Sequence, residues 1–355
     1  MADDDFLVRA LNVHAAACAA MGSPFSGALL EAAATDAAQG GSTREMFKPW
    51  AAAPVRALIL DAAVLRLLGA LHDLALSGEA PGLTRAYPSA ERPGDPGGAW
   101  AASLQAMADH GPRLAAFMAH EPQTNEVGRS ACLLGGFLAI AGQTALPLRC
   151  FEVGASAGLN QLWDRWRYRL GDAGVWGAGD APVVIDTDWR GPAPALGAEV
   201  SVIERAACDR APIDLADPAA RRRLRSYVWA DQLDRLSRLD AAIAVALVAG
   251  VKVEAQDAVS WTARRAMPRQ GAATVLFHSV FWQYIPADSQ AALTAVIEGL
   301  GAMATASAPF AWLRMESAPA NMAQMEVRLT PWPGGEERVL ASVHPHGAWI
   351  EWKDE

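Results

Sequence analysis

The residues best equipped for chemistry form one short run, EVGASAGLN at 152–160, in which a carboxyl group, a hydroxyl and an amide are spaced between two glycines. Glu152 belongs to an apolar stretch, LRCFEV at 148–153, while Gly154 and Gly158 permit a tight turn whose backbone a ligand can approach closely. Three readings fit this pattern. In the first, the turn and the N–H groups opening the next helix cradle a nucleotide-type cofactor, with Glu152, Gly154, Ser156, Gly158 and Asn160 around it. In the second, Ser156 is a nucleophile on a sharp strand-to-helix turn. Asp257 or Glu316, then His344 or His346, stand in an order that allows an acid and a base for it. The third is a purely structural turn in a fold that has lost its ligand, and a non-catalytic ligand-binding protein on the same fold stands beside the two enzyme readings.

The elements that must carry this run divide the chain in two. Up to about Leu146 the sequence is rich in Ala and Leu, with apolar residues recurring at three and four positions. It predicts helices over Phe6 to Met21, Pro24 to Ala38, Pro54 to Leu76, Trp100 to Ala119 and Glu126 to Gly142. From 147 onwards strand-like runs alternate with helical ones. LRCFEV leads into the turn and then a helix over 159–170; residues 171–197, dense in Gly, Pro and Asp, read as an insertion around VVIDTDW. Strands follow at 200–209, 251–258, 274–281 and 310–317, with helices over 218–227, 231–248 and 289–300, and a hairpin around Pro333, Gly334 and Gly335 precedes GAWIEW. The expectation is an α/β protein: an all-helical region, 1–146, covering a cleft, then an α/β domain, 147–355, with a parallel sheet and a C-terminal antiparallel hairpin.

The turn and its place in the strand order resemble the first motif of class I S-adenosylmethionine methyltransferases, whose pattern is an acidic residue followed by alternating glycines. Ser156 stands here where that pattern has its middle glycine. The resemblance implies a Rossmann-like fold, S-adenosylmethionine as cofactor and a small-molecule substrate. It also implies an acidic residue after the second strand for the ribose, best matched by Asp209 with Asp186 and Asp188 as alternatives, and one near the adenine, matched by Asp257. His278, ending a later strand, falls where catalytic groups collect at the carboxyl edge of an open sheet. The GxSxG spacing of Gly154, Ser156 and Gly158 equally resembles the nucleophile elbow of α/β-hydrolases, although in that fold several strands precede the elbow, whereas here helices do.

Five further segments, SPF at 23–25, QTNEVGR at 123–129, WDRWRY at 163–168, VWADQ at 228–232 and HPHGAWIEW at 344–352, resemble, together with the glycine turn, one family of uncharacterised bacterial proteins, DUF2332. In QTNEVGR, Thr124 or Asn125 could cap a helix; alternatively Asn125, Glu126 and Arg129 bind substrate, Arg129 through a bidentate contact to a carboxylate or phosphate. In HPHGAW, His344 or His346 could act as a general base, or serve only as turn residues. Trp163, Trp166 and Tyr168 are expected in the core.

Composition excludes several classes. A net charge of -9 and a single short basic run, Arg221 to Arg225, argue against nucleic acid, and that run reads as a solvated helix face. Cys18, Cys132, Cys150 and Cys208 are too scattered for a zinc site or a disulfide framework. The acidic start MADDD does not resemble a secretory signal, so a cytoplasmic protein is expected. The longest apolar stretch, 131–148, contains paired glycines, Gln143 and Pro147, which predicts no membrane span.

Overall fold

The computed structural model describes residues 5–353, the side chains of Leu60, Met322 and Ala323 excepted; the acidic opening at 1–4 lies outside them. In chain order the helices are α1 (Phe6–Ala20), α2 (Pro24–Ala38), α3 (Ser42–Met46), α4 (Val55–Leu60), α5 (Ala63–Ser77), α6 (Pro81–Ala86), α7 (Pro96–Met118), α8 (Arg129–Thr144), α9 (Pro218–Ser226), α10 (Leu233–Ala249), α11 (Ala258–Arg265) and α12 (Ala287–Ala302). The strands are β1 (Leu148–Val153), β2 (Arg167–Arg169), β3 (Val175–Trp176), β4 (Val184–Asp186), β5 (Asp188–Arg190), β6 (Val202–Asp209), β7 (Glu254–Ala255), β8 (Ala273–Ser279), β9 (Phe310–Ala318), β10 (Asn321–Trp332), β11 (Arg338–Val343) and β12 (Trp349–Trp352). No helix among the described residues is long and apolar enough to cross a membrane.

The chain forms two compact units, one from Met1–Thr124 with Ala216–Ser237 and the other from Asn125–Leu215 with Arg238–Glu355. The division therefore does not follow the 146/147 boundary read from composition. Helix α8 belongs with the sheet, and the segment carrying α9 belongs with the helices.

In the helical unit, α1 starts where the Asp5 carboxylate accepts the N–H groups of Leu7 (3.1 Å) and Val8 (3.3 Å). The single helix predicted over 54–76 is two, because Ala62 takes a φ of +49° between α4 and α5. Arg66 seals the break, donating from Nε to the Asp61 carbonyl (2.9 Å) and from Nη1 to the Met118 carbonyl (3.1 Å). Two segments distant in sequence meet here: Asp231 of VWADQ accepts from the Ser23 hydroxyl and from the Phe25 N–H (2.9 Å) of SPF, and Gln232 donates to the Met21 carbonyl (2.9 Å). The basic run is not a solvated face. Arg222 pairs with buried Asp73 at 2.9 Å, and Arg223 lies over the Phe117 ring.

The second unit is an α/β layer structure. Its nine-stranded sheet has the order β5-β12-β11-β10-β9-β8-β1-β6-β7. β7, β6, β1, β8 and β9 run parallel, and β9 to β12 alternate as antiparallel neighbours. Every residue of β1 is buried, as expected of a parallel strand covered on both faces. Helix α8 packs on one face, where Phe137 meets Phe277 at 5.2 Å. On the other, α11 and α12 bury Trp261, Leu293 and Ile297 with Phe151, Leu276 and Trp312. The segment expected as an insertion supplies two pieces: part of a small sheet, order β3-β2-β4, and edge strand β5, parallel to β12.

The helix expected over 159–170 does not form. A 3-10 stretch, Leu159–Arg165, ends in extended Trp166 and runs into β2. Trp163, Trp166 and Tyr168 are all fully buried, whereas a helix would set Trp166 and Tyr168 roughly 200° apart at 100° per residue. The extended geometry turns both inward, and Trp163 stacks on Phe137 at 4.0 Å.

Candidate functional site

β1 ends between β6 and β8, where the chain, having added β6 and β7 on one side, returns to add β8 on the other. Loops at the carboxyl ends of strands diverge at such a point, leaving room for a ligand. The run Glu152–Asn160 occupies it.

The turn is strongly bent: Gly154, Ser156 and Gly158 have φ of +67°, +54° and +74°. Neighbouring elements hold this shape. The Ser156 N–H donates to Asp209 Oδ2 (2.8 Å), whose other oxygen accepts from the Ala211 N–H (2.9 Å). The Leu159 N–H donates to Asn125 Oδ1 (2.8 Å), and Asn160 Nδ2 donates to the Glu126 carbonyl (3.4 Å). QTNEVGR is tied in turn to HPHGAW. Arg129 Nε donates to the Pro345 carbonyl (3.1 Å), and a Cβ on Gly128 would lie 2.4 Å from the His346 carbonyl oxygen. Asn125, Glu126 and Arg129 are thus gathered at the turn through contacts with protein. Neither Thr124 nor Asn125 caps α8, which starts at Arg129 after Gly128.

Three polar atoms of the turn have no partner although they are buried: Glu152 Oε2, Ser156 Oγ and Asn160 Oδ1. Glu152 is 3% exposed, and burial, with the Asp209 charge as a second cause, pushes its carboxyl well above the usual carboxylate range. Most buried groups of this kind are hydrogen-bonded; the turn gathers three that are not, and single ones such as Tyr87 OH and Thr262 Oγ1 occur elsewhere in the core.

The glycines themselves are packed by the protein. A Cβ on Gly154 would lie 2.3 Å from the Phe281 ring, and one on Gly158 would lie 2.5 Å from Gln161 Nε2 and 2.8 Å from Val253. Phe281 follows the end of β8, where Val280 has a φ of +53°, an unusual conformation for a β-branched residue.

The remaining predicted residues are dispersed. Glu152 pairs in register with Phe277, so alternation along the strands sends Glu152 to the α8 face and His278 to the α11/α12 face. There His278 is fully buried with both ring nitrogens used: Trp312 Nε1 donates to Nε2 (3.0 Å), and Nδ1 lies 2.7 Å from Glu316 Oε1. An indole N–H can only donate, which leaves the imidazole proton on Nδ1, donated to Glu316. Asp257 is exposed and caps α11 through the Ser260 N–H (2.9 Å). Asp188 lies on β5 at the far edge of the sheet from β6, and Asp186, on β4 of the small sheet, pairs with Arg169. The His346 N–H donates to His344 Nδ1 (3.1 Å). The proposed triad is not assembled: Ser156 Oγ has no partner, and Glu316 and Asp257 are engaged elsewhere. The four cysteines are free and buried, and burial pushes the thiols of Cys18, Cys132 and Cys150 up to about 12, far from reactive.

Sequence reasoning missed Phe281 as a neighbour of the turn, and Trp282 beside it on His278. The signal available was the aromatic run FWQY at 281–284, directly after a strand end.

No curated protein and no solved structure matches the chain. A family model described as "Uncharacterized protein conserved in bacteria (DUF2332)" matches residues 8–352, nearly the whole length, and the chain therefore belongs to the DUF2332 family.

Proposed function

We propose that this chain binds S-adenosylmethionine at the glycine turn after β1 and transfers its methyl group to a small molecule, on a sheet of the Rossmann-like methyltransferase type. The observation that carries this reading is Glu152, a buried carboxyl near the end of the central strand whose Oε2 has no hydrogen-bond partner, accompanied by Ser156 Oγ and Asn160 Oδ1 in the same turn. The order of the five parallel strands, with the first in the middle, supports it.

The cofactor supplies a methyl group on a positively charged sulfur. The turn fits its amino-acid end. An ammonium against Glu152 offers the donor and charge that the carboxyl lacks, and the Ser156 hydroxyl and Asn160 Oδ1 can take further polar contacts. The fit to the nucleoside is looser. Asp209 already accepts two backbone N–H groups, with one lone pair left on each oxygen, and Asp257 is a helix cap. Alignment of donor and acceptor is the main requirement of methyl transfer, and the chain contributes to it by fixing the turn from Asn125 and Asp209.

One observation favours a second reading, a turn that is only structural: Gly154 and Gly158 are packed by Phe281, Gln161 and Val253. Calorimetric titration of the folded protein with S-adenosylmethionine and S-adenosylhomocysteine separates the two. Binding that Glu152→Gln weakens at least tenfold is expected; no binding of either compound removes the methyltransferase reading and leaves the structural turn.

A further inference from the structure

The corner that follows β8 carries three aromatic residues in four positions, and it borders the glycine turn because Phe281 packs on Gly154. Trp282 stacks on His278 at 5.6 Å with 14° between the planes and meets Trp312 at 5.5 Å. Tyr284 is 64% exposed. Such side chains offer large rigid surface at little entropic cost.

The groups beneath Trp282 are tied to one another by hydrogen bonds. His278 is held through both nitrogens, and the same Glu316 oxygen that receives its proton also accepts the Phe281 N–H at 2.9 Å. Gln290 of α12 donates to the carbonyls of Trp282 (2.9 Å) and Ile285 (3.2 Å), which fixes the backbone of the corner. In this buried Glu-His-Trp network both imidazole nitrogens face protein groups, Nε2 an indole N–H and Nδ1 a carboxylate oxygen. Its effect is to set the plane and height of a half-buried indole at the carboxyl edge of the sheet.

We infer that Trp282, supported from below by His278, Glu316 and Trp312, is a stacking platform for a planar aromatic ring of a small-molecule ligand seated beside the glycine turn. The inference deepens the reading of this edge as a ligand site. A purine of the cofactor and a separate aromatic acceptor share the required chemistry, a flat π-face of ring size. A saturated ring of equal bulk lacks it.

Ligand-detected magnetic resonance and calorimetry on the full chain test this with adenosine, 2-naphthol and cyclohexanol as probes, S-adenosylhomocysteine being titrated separately. At least one flat probe is expected to bind, cyclohexanol is not, and the indole N–H signal of Trp282, identified by its loss in Trp282→Phe, is expected to shift. Binding of the flat probe should weaken at least tenfold in Trp282→Leu and less than threefold in Trp282→Phe. Adenosine alone as the responding probe assigns the ring to the cofactor; 2-naphthol alone assigns it to an acceptor. Three results overturn the platform: no binding of either flat probe, equal binding of cyclohexanol, or an unmoved Trp282 signal at saturation. Should Trp282→Leu fail to fold, the wild-type shift and the Trp282→Phe affinity decide. Homocysteine-compound binding with a silent Trp282 sinks the platform and leaves the cofactor site standing, while the reverse pattern sinks the cofactor and keeps the platform.

Discussion

Two buried acidic residues, one in each unit, are treated in opposite ways. Asp73 in the helical unit is 6% exposed and receives Arg222 at 2.9 Å and Arg113 at 3.0 Å, so its charge is answered within the protein. Glu152 in the sheet unit is 3% exposed and its Oε2 receives nothing. His72, next to Asp73, is equally settled: burial pushes its imidazole down to about 4, and its Nδ1 bonds to the Ser226 carbonyl (3.1 Å). A buried carboxylate with two guanidinium partners can stay charged, whereas burial without such a partner favours the neutral carboxyl, and perturbed groups of that kind cluster at functional sites.

The contrast can be broken in three ways. The largest effect is expected from Gly154→Ala, which brings a Cβ into the Phe281 ring and places alanine at a φ of +67°; a loss of about 3 kcal/mol in urea unfolding is expected from overpacking and backbone strain together. Phe281→Ala in the same chain should restore most of the packing part. If it restores none, the glycine serves something other than Phe281. Next comes Asp73→Ala, which takes the carboxylate from Arg222 and one of two carboxylates from Arg113, whose other partner is Glu79. Both guanidinium groups are about one-third exposed, so solvent screening lowers the cost from that of a fully buried pair to about 2 kcal/mol. An unchanged unfolding midpoint would show that the pairing contributes nothing.

The smallest stability effect, of opposite sign, is expected for Glu152→Gln. The folded carboxyl binds its proton more tightly than the unfolded one, ordinarily near 4.5, so the wild type loses stability as pH rises from there through the raised folded value. The amide has no such slope. The variant's advantage should therefore grow with pH across that window in parallel urea titrations, and a difference independent of pH would mean that Glu152 is not held protonated.

Much of the sheet was legible because its parallel strands are continuous apolar runs with nowhere to go but a covered layer. LRCFEV and ATVLFHS are of this kind, and the alternation of such runs with amphipathic helices predicts their direction. The stretch 159–170 was misread for the converse reason. Its apolar residues as a set suggest a helical period, but Trp166 and Tyr168 would lie on opposite sides of a helix, and extended backbone at Trp166 lets both be buried with Trp163. At the site, the glycine turn was recognisable from residue types alone. Its neighbours were not, since Asp209 reaches Ser156 across 53 positions and Glu316 reaches His278 across 38.

Residue types and local spacing by themselves determined that a bent, glycine-containing turn ends a buried strand, because positive φ and apolar runs are local properties. Only the tertiary structure decided what that turn meets. Pairing between strands put Glu152 and His278 on opposite faces of one sheet, gave Asp209 and Asn125 to the turn's own N–H groups, and placed Phe281 on Gly154, because which side chains share a face depends on a register that no single segment contains.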